Sequence, residues 1–253
     1  MNRLARTALT LAAFAASGAT FAQATVKEDG QWRAALGIAY TASGGNTRAT
    51  TLSGMADAVR ATAGDKTSLY ASALYGSSQG TKTADQWRLG AKHDINLTSQ
   101  FYVFGLAEGE RDDIAALQSR ATLGGGAGWK FFNTEALKFE VFGGAAYVAD
   151  RFTTPRLIDG EVRRSYSHGT LLAGEESVHK WGQSTTARQR FVVYPDLSNR
   201  GEFRATWDAG IAVPATQSMN LTAGVNIKHN SDPGSGVKRT DTLVTTGITV
   251  KFD

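Results

Sequence analysis

From Trp32 onward the side chains change character at every second residue. Trp32, Ala34, Leu36, Ile38 and Tyr40 alternate with Arg33, Ala35, Gly37, Ala39 and Thr41. A period of two belongs to a strand whose two faces meet different surroundings. Three later stretches repeat it clearly. Trp87, Leu89, Ala91 and Ile95 stand against Arg88, Lys92 and Asp94. Phe203, Ala205, Trp207, Ala209, Ile211 and Val213 oppose Glu202, Arg204, Thr206, Asp208 and Gly210. Leu221, Ala223, Val225 and Ile227 oppose Asn220, Thr222, Asn226 and Lys228. The whole chain reads as strands near 31–42, 48–62, 67–77, 86–96, 100–111, 118–131, 136–149, 170–181, 185–194, 201–213, 218–229 and 240–252. Most are long enough to cross a bilayer, which takes about 9–11 residues of tilted strand. Two are less regular: Phe101 to Arg111 has aromatics on both faces, and Leu171 to Trp181 crowds Glu175, Glu176, His179 and Lys180 together.

The connections give a second test. Short turns are expected at Thr62 to Lys66, Leu97 to Ser99, Phe132 to Glu135, Gly182 to Ser184 and Pro214 to Gln217. The alternate connections are Ser43 to Thr47, Ser78 to Asp85, Asp112 to Leu117, Asp150 to Gly169, Pro195 to Arg200 and Asn230 to Arg239, longer after the first and richer in Gly, Ser, Asp and Arg. Tight turns on one side and longer loops on the other are the plan of a bacterial outer-membrane barrel, and an even strand count brings both ends to one side. The expected fold is therefore all-β, a closed antiparallel transmembrane barrel of about twelve strands. A soluble periplasmic β-barrel that binds a ligand has the same periodicity with its greasy face turned inward. Placing Trp32, Tyr40, Trp87, Phe101, Trp129, Phe203 and Phe252 near strand ends favours the membrane barrel, where aromatic girdles mark the lipid interfaces.

The N-terminus has its own anatomy. Arg3 and Arg6 precede an apolar run from Ala8 to Ala16, followed by small residues up to Ala22-Gln23-Ala24. This pattern predicts a cleaved secretory signal peptide over residues 1–24 and a barrel over 25–253. The apolar core is too short for a spanning helix of roughly 20 residues. Cleavage would remove two arginines and no acid, lowering the formal charge from +4 to +2, too little to argue for nucleic acid. The absence of cysteine excludes disulfides and thiolate chemistry.

The last strand ends Thr246-Gly247-Ile248-Thr249-Val250-Lys251-Phe252, with Asp253 trailing. It resembles the C-terminal assembly signal of outer-membrane barrels, with Gly247, Val250 and Phe252 as its marks, and suits recognition by strand addition. Further residues carry a wider resemblance: Trp32 followed by Ser43-Gly44-Gly45-Asn46-Thr47, Glu110-Arg111-Asp112-Asp113 with Leu117 and Arg120, Tyr194-Pro195-Asp196-Leu197, and Lys238-Arg239-Thr240-Asp241-Thr242-Leu243. Over residues 30–252 the chain resembles the YdiY-like DUF481 family, sometimes called salt-induced outer-membrane proteins. The resemblance implies a Gram-negative outer-membrane barrel of undetermined activity, linked by the family name to envelope stress. The expected partners are outer-membrane lipids and, during biogenesis, periplasmic chaperones and the barrel-assembly machinery, with the barrel working as a monomer.

Candidate chemistry is sparse. Ser165, Ser167 and His168 share the longest predicted loop, and a membrane-embedded lipid-modifying enzyme is the alternative they raise; the expectation is no enzyme, no cofactor and no metal. Glu110, Asp112 and Asp113 are expected to form an external acidic cluster that pins loops through arginines or holds Ca²⁺. Gly124 to Gly128 lies within a strand, where small residues permit curvature or close packing. The inward face is expected to carry a charge ladder of Arg188, Arg190, Arg204, Lys228 and Lys251 with Glu202 and Asp208. Such a ladder either pairs into a plug or lines a narrow, anion-favouring passage.

Overall fold

The computed structural model describes residues 24–43, 49–158, 160–182, 185–198, 201–233 and 238–252. The expected signal peptide, apart from Ala24, lies outside these residues, as do most of Ser43 to Thr47, Gly234 to Gly236 and Asp253. Twelve strands follow one another: β1 (Trp32–Ser43), β2 (Ala49–Ala61), β3 (Asp65–Ser78), β4 (Thr81–Asn96), β5 (Phe101–Asp112), β6 (Leu117–Asn133), β7 (Leu137–Ile158), β8 (Glu161–Trp181), β9 (Thr185–Pro195), β10 (Phe203–Pro214), β11 (Met219–Asn230) and β12 (Thr240–Phe252). Each pairs antiparallel with its neighbours in the chain, and β1 pairs β12 from Ala34↔Phe252 to Ile38↔Ile248. The sheet closes and leaves no edge.

Side-chain alternation sorts the barrel into two surfaces. Leu36, Ile38, Leu89, Leu123, Tyr147, Leu221, Val244 and Ile248 are exposed on the outer face, while Ala35, Ser53, Asp94, Thr122, Asp150, Asn226 and Thr249 are buried on the inner one. An apolar outside around a polar inside inverts the arrangement of a soluble barrel. Ala209 and Val225 are register partners on this outer face. Among the described residues, no helix is long and apolar enough to cross a membrane.

Two of the expected loops are strand. Ser78 to Asp85 becomes the β3–β4 hairpin, turned by Gln79 and Gly80 with φ of 50° and 81°, the left-handed pair that matches strand twist. Asp150 to Gly169 becomes the far ends of β7 and β8, paired out to Ile158↔Glu161 with Gly160 at φ 77°. Val162 and Leu157 near that tip are 74% and 70% exposed. Solvent meets both faces there, so hydropathy no longer alternates although backbone pairing continues.

Glycines on the inner wall make room for large rings. Gly90 lies beneath the Tyr70 ring, Gly128 beneath Tyr102 and Gly174 beneath Phe142, so a methyl group at any of them would strike the ring above. Gly126 and Gly144 meet backbone to backbone, at the centre of the Gly124–Gly128 run. Close packing is the use this run serves.

Candidate functional site

The inward residues converge on the lumen in two layers. Alternation along β5 sends Tyr102, Phe104 and Leu106 inward and Phe101 and Val103 outward, which accounts for aromatics on both faces of this strand. Tyr102 and Phe104 join Phe142, Ala146, Leu172 and Val192 in a buried cluster, flanked by Leu106 and Tyr194. Phe104 meets Phe142 edge-on, with centroids 6.0 Å apart. A hydrophobic core thus occupies the inside of part of the barrel. The Lys92 ammonium lies 5.0, 4.8 and 5.6 Å from the Tyr102, Phe104 and Phe142 ring centroids and 2.7 Å from Asp94. Ring faces and a carboxylate together compensate its lost hydration.

Above this cluster, toward the long hairpin, is the charged layer. Arg88 binds Glu108 at 2.9 Å, and the Tyr70 hydroxyl donates to the same carboxylate. Arg120 grips Asp150 through two hydrogen bonds of 2.6 Å and lies 3.8 Å from Glu110. Lys228 reaches Glu110 from the other side at 3.2 Å. Glu110 is on β5 and Lys228 on β11, six places apart in a ring of twelve and therefore on opposite walls. This ion pair crosses the lumen. Nearer β1, Leu243 of β12 packs against Leu74 and Ala84 of β3 and β4, a second contact between non-neighbouring strands.

The ladder residues take up several different environments. Arg188 and Arg190 project inward from β9 and share Glu176, at 2.7 and 3.9 Å. Asp208, the register partner of Arg190, instead accepts from Asn226. Glu202 precedes β10 and lines the outer mouth. The expected partners of these arginines are thus corrected to Glu176, which sequence reading placed in an irregular strand and left out of the ladder. Arg204 faces inward from β10 with its guanidinium 5.4 Å from the Tyr194 ring. Lys251 is inward near the other end of β12, in register with Ala35.

The three acids of the expected external cluster have different surroundings. Glu110 and Asp112 are successive inward positions of β5, and Asp113 lies beyond the strand end. Glu110 serves the cross-lumen pair, Asp112 accepts from the Ala115 amide at 2.9 Å, and Asp113 binds Arg111 at 2.7 Å and Lys82 at 3.5 Å. The Arg111 hydrogen bond holds the Asp113 carboxyl below its ordinary range. Among the described residues no group of acids and histidines is arranged to hold a metal ion.

His168 is buried, not in a loop. It projects inward from β8, stacks on Tyr166 with centroids 4.7 Å apart, and lies 3.4 Å from Asp196. Ser165 and Ser167 occupy the opposite face of the same strand, so alternation separates them from the histidine. Sequence reading missed Tyr70, Glu108, Tyr102, Phe104 and Phe142 as lumen residues. Their signal was present as aromatics and acids on the small-residue face, each opposite a glycine or a cation. At the closing seam, Gly247 has no space for a Cβ against the Ile38 carbonyl, and Ile248, Val250 and Phe252 face outward.

The family model described as a protein of unknown function, DUF481, matches residues 36–252. The Escherichia coli (strain K12) protein "Uncharacterized protein YdiY" is 24% identical over 218 residues, which cover 84% of this chain and 80% of that protein. Among solved structures, the translocator domain of the autotransporter NalP from Neisseria meningitidis is similar at TM-score 0.46 and 15% identity, covering 88% of each chain. The NanC porin is similar at TM-score 0.46 and 12% identity, covering 87% of this chain and 97% of that one.

Proposed function

The chain belongs to the DUF481 family of proteins of unknown function, and from that premise and the filling of its lumen we propose that it is an outer-membrane barrel held closed by its own side chains. On this reading it is exported by a cleaved N-terminal signal over residues 1–24 and inserted by the barrel-assembly machinery. It works without an enzymatic step, as an envelope barrel that adds no steady leak. The observation that carries the proposal is the Lys228–Glu110 pair between opposite walls, set above the aromatic cluster around Phe104 and Phe142. A general diffusion pore keeps its centre open, whereas here cation, carboxylate and rings occupy it. A barrel that does not leak fits an envelope under osmotic or salt stress, where uncontrolled permeation is harmful.

Fractionation and liposome swelling test this reading together. The protein is expected in the detergent-extracted outer-membrane fraction with heat-modifiable migration, and proteoliposomes are expected not to swell in arabinose. Recovery in soluble periplasm contradicts the membrane assignment, and rapid swelling contradicts the closed lumen. One observation favours a gated channel as the second reading: the closing groups are side chains on rigid strands, not an inserted helix, so a change of rotamer can open a passage.

A further inference from the structure

The outer end of the lumen contains two adjoining cavities of about 120 and 370 Å³. They share Arg120, Phe152, Arg156, Tyr194, Arg204 and Asn230 as a common wall, and the Glu110–Lys228 pair lines the floor of the first. The cations of this wall differ in how they are satisfied. Arg120 is committed to Asp150 by two hydrogen bonds. Arg156 has its guanidinium 4.3 Å from the Phe152 ring centroid and donates to the Ala115 carbonyl. Arg204 lies 5.4 Å from the Tyr194 centroid. Among the described residues, neither Arg156 nor Arg204 has a carboxylate within ion-pairing distance.

The nearby acids are otherwise engaged. Asp150 is held by Arg120, Glu110 by Lys228, Asp196 by His168 and Asp112 by the Ala115 amide. At the rim, Glu202, Asp232 and Asp241 stand with Lys238 and Arg239. Among the described residues, the two cations of this wall with no carboxylate of their own are therefore Arg156 and Arg204. Both are half-buried, and a guanidinium removed from water without an anion is costly. An aromatic ring lies close to each guanidinium, Arg156 has one N–H on the Ala115 carbonyl, and the planar fork of donors that remains matches a carboxylate or phosphate.

We infer that this wall is a binding site for a small soluble anion carrying a carboxylate or phosphate group, taken from the external side between Arg156 and Arg204. The site goes beyond the closed-barrel reading and does not depend on it, because it lies outside the cross-lumen pair. Its opening faces the lumen, not the lipid surface, which favours a soluble anion over a membrane phospholipid.

The test is calorimetric titration of the purified full-length barrel in detergent with inorganic phosphate and, separately, citrate, at constant ionic strength set by chloride. Saturable binding of at least one probe is expected. Arg204→Gln and Arg156→Gln are each expected to weaken it about ten-fold or more. Arg163→Gln, the same charge change at the hairpin tip, is expected to leave it unaltered. Heat-modifiable migration verifies folding of each variant, and Arg156→Gln near the rim serves if Arg204→Gln does not fold. Absence of saturable binding by both probes overturns the site, as does equal binding by wild type and the folded wall variants. Binding of short-chain phosphatidic acid with no binding of either soluble probe overturns the assignment to a soluble anion. None of these outcomes bears on swelling or conductance, so failure here is distinguishable from failure of the closed-lumen reading.

Discussion

Glu110 receives Arg120 from the neighbouring strand and Lys228 from the opposite wall, so one carboxylate ties distant parts of the ring together. Glu110 and Lys228 are half-buried, and removing one member of such a pair leaves a charge without full compensation, at a cost of up to about 3–5 kcal/mol. Lys228→Met is expected to destabilise the folded barrel on that scale, and combining it with Glu110→Leu should recover part of the loss. Urea unfolding in detergent checks this; a single variant as stable as wild type means that the pair does not hold the lumen. A second residue-scale prediction concerns the ring seats. Gly128→Val should cost about 1–3 kcal/mol through overpacking against Tyr102. Tyr102→Ala in the same chain should relieve the clash, which a double-mutant comparison of unfolding midpoints measures.

At the scale of elements, β10 and β11 present Ala209 and Val225 side by side to the outside. Arginine at either position is expected to cost about 2–4 kcal/mol if it meets the bilayer midplane; an unchanged unfolding midpoint reverses the facing assignment. The closing β12 supplies a related test, since Phe252→Ala is expected to lower the yield of heat-modifiable barrel during assembly in cells. Strands such as β1 and β10 were legible in the sequence because an apolar outer face and a polar lumen force hydropathy to alternate. The outer parts of β7 and β8 were not, because around Thr153, Thr154 and Arg163 residues on both faces are exposed. The candidate site was legible only in part. Alternation predicts that Arg188, Arg204 and Lys228 point inward, but the partner of Lys228 is set by how far side chains reach across a closed ring. Glu176, the acceptor for β9, is a register neighbour of Arg190 across the β8–β9 hairpin, hidden by the irregular pattern of β8, whereas Glu110 as the acceptor for β11 does not follow from local spacing.

For the molecule as a whole, the polar interior is a packed assembly: Lys92 caged by rings, Arg88 and Tyr70 on Glu108, Arg120 on Asp150, and Lys228 across to Glu110. The absence of cysteine makes its orientation directly testable. Val162→Cys at the hairpin tip is expected to react with an impermeant maleimide on intact cells, whereas Ala63→Cys in the β2–β3 turn should react only after the outer membrane is opened; the reverse pattern inverts the barrel. The central claim, a lumen closed by side chains, is tested most directly by planar-bilayer recording of the purified barrel beside its Lys228→Ala, Glu110→Ala double variant. The wild type is predicted to give no reproducible conductance steps, and the double variant to give intermittent openings or none. Stable, ohmic conductance of the wild type would contradict the account.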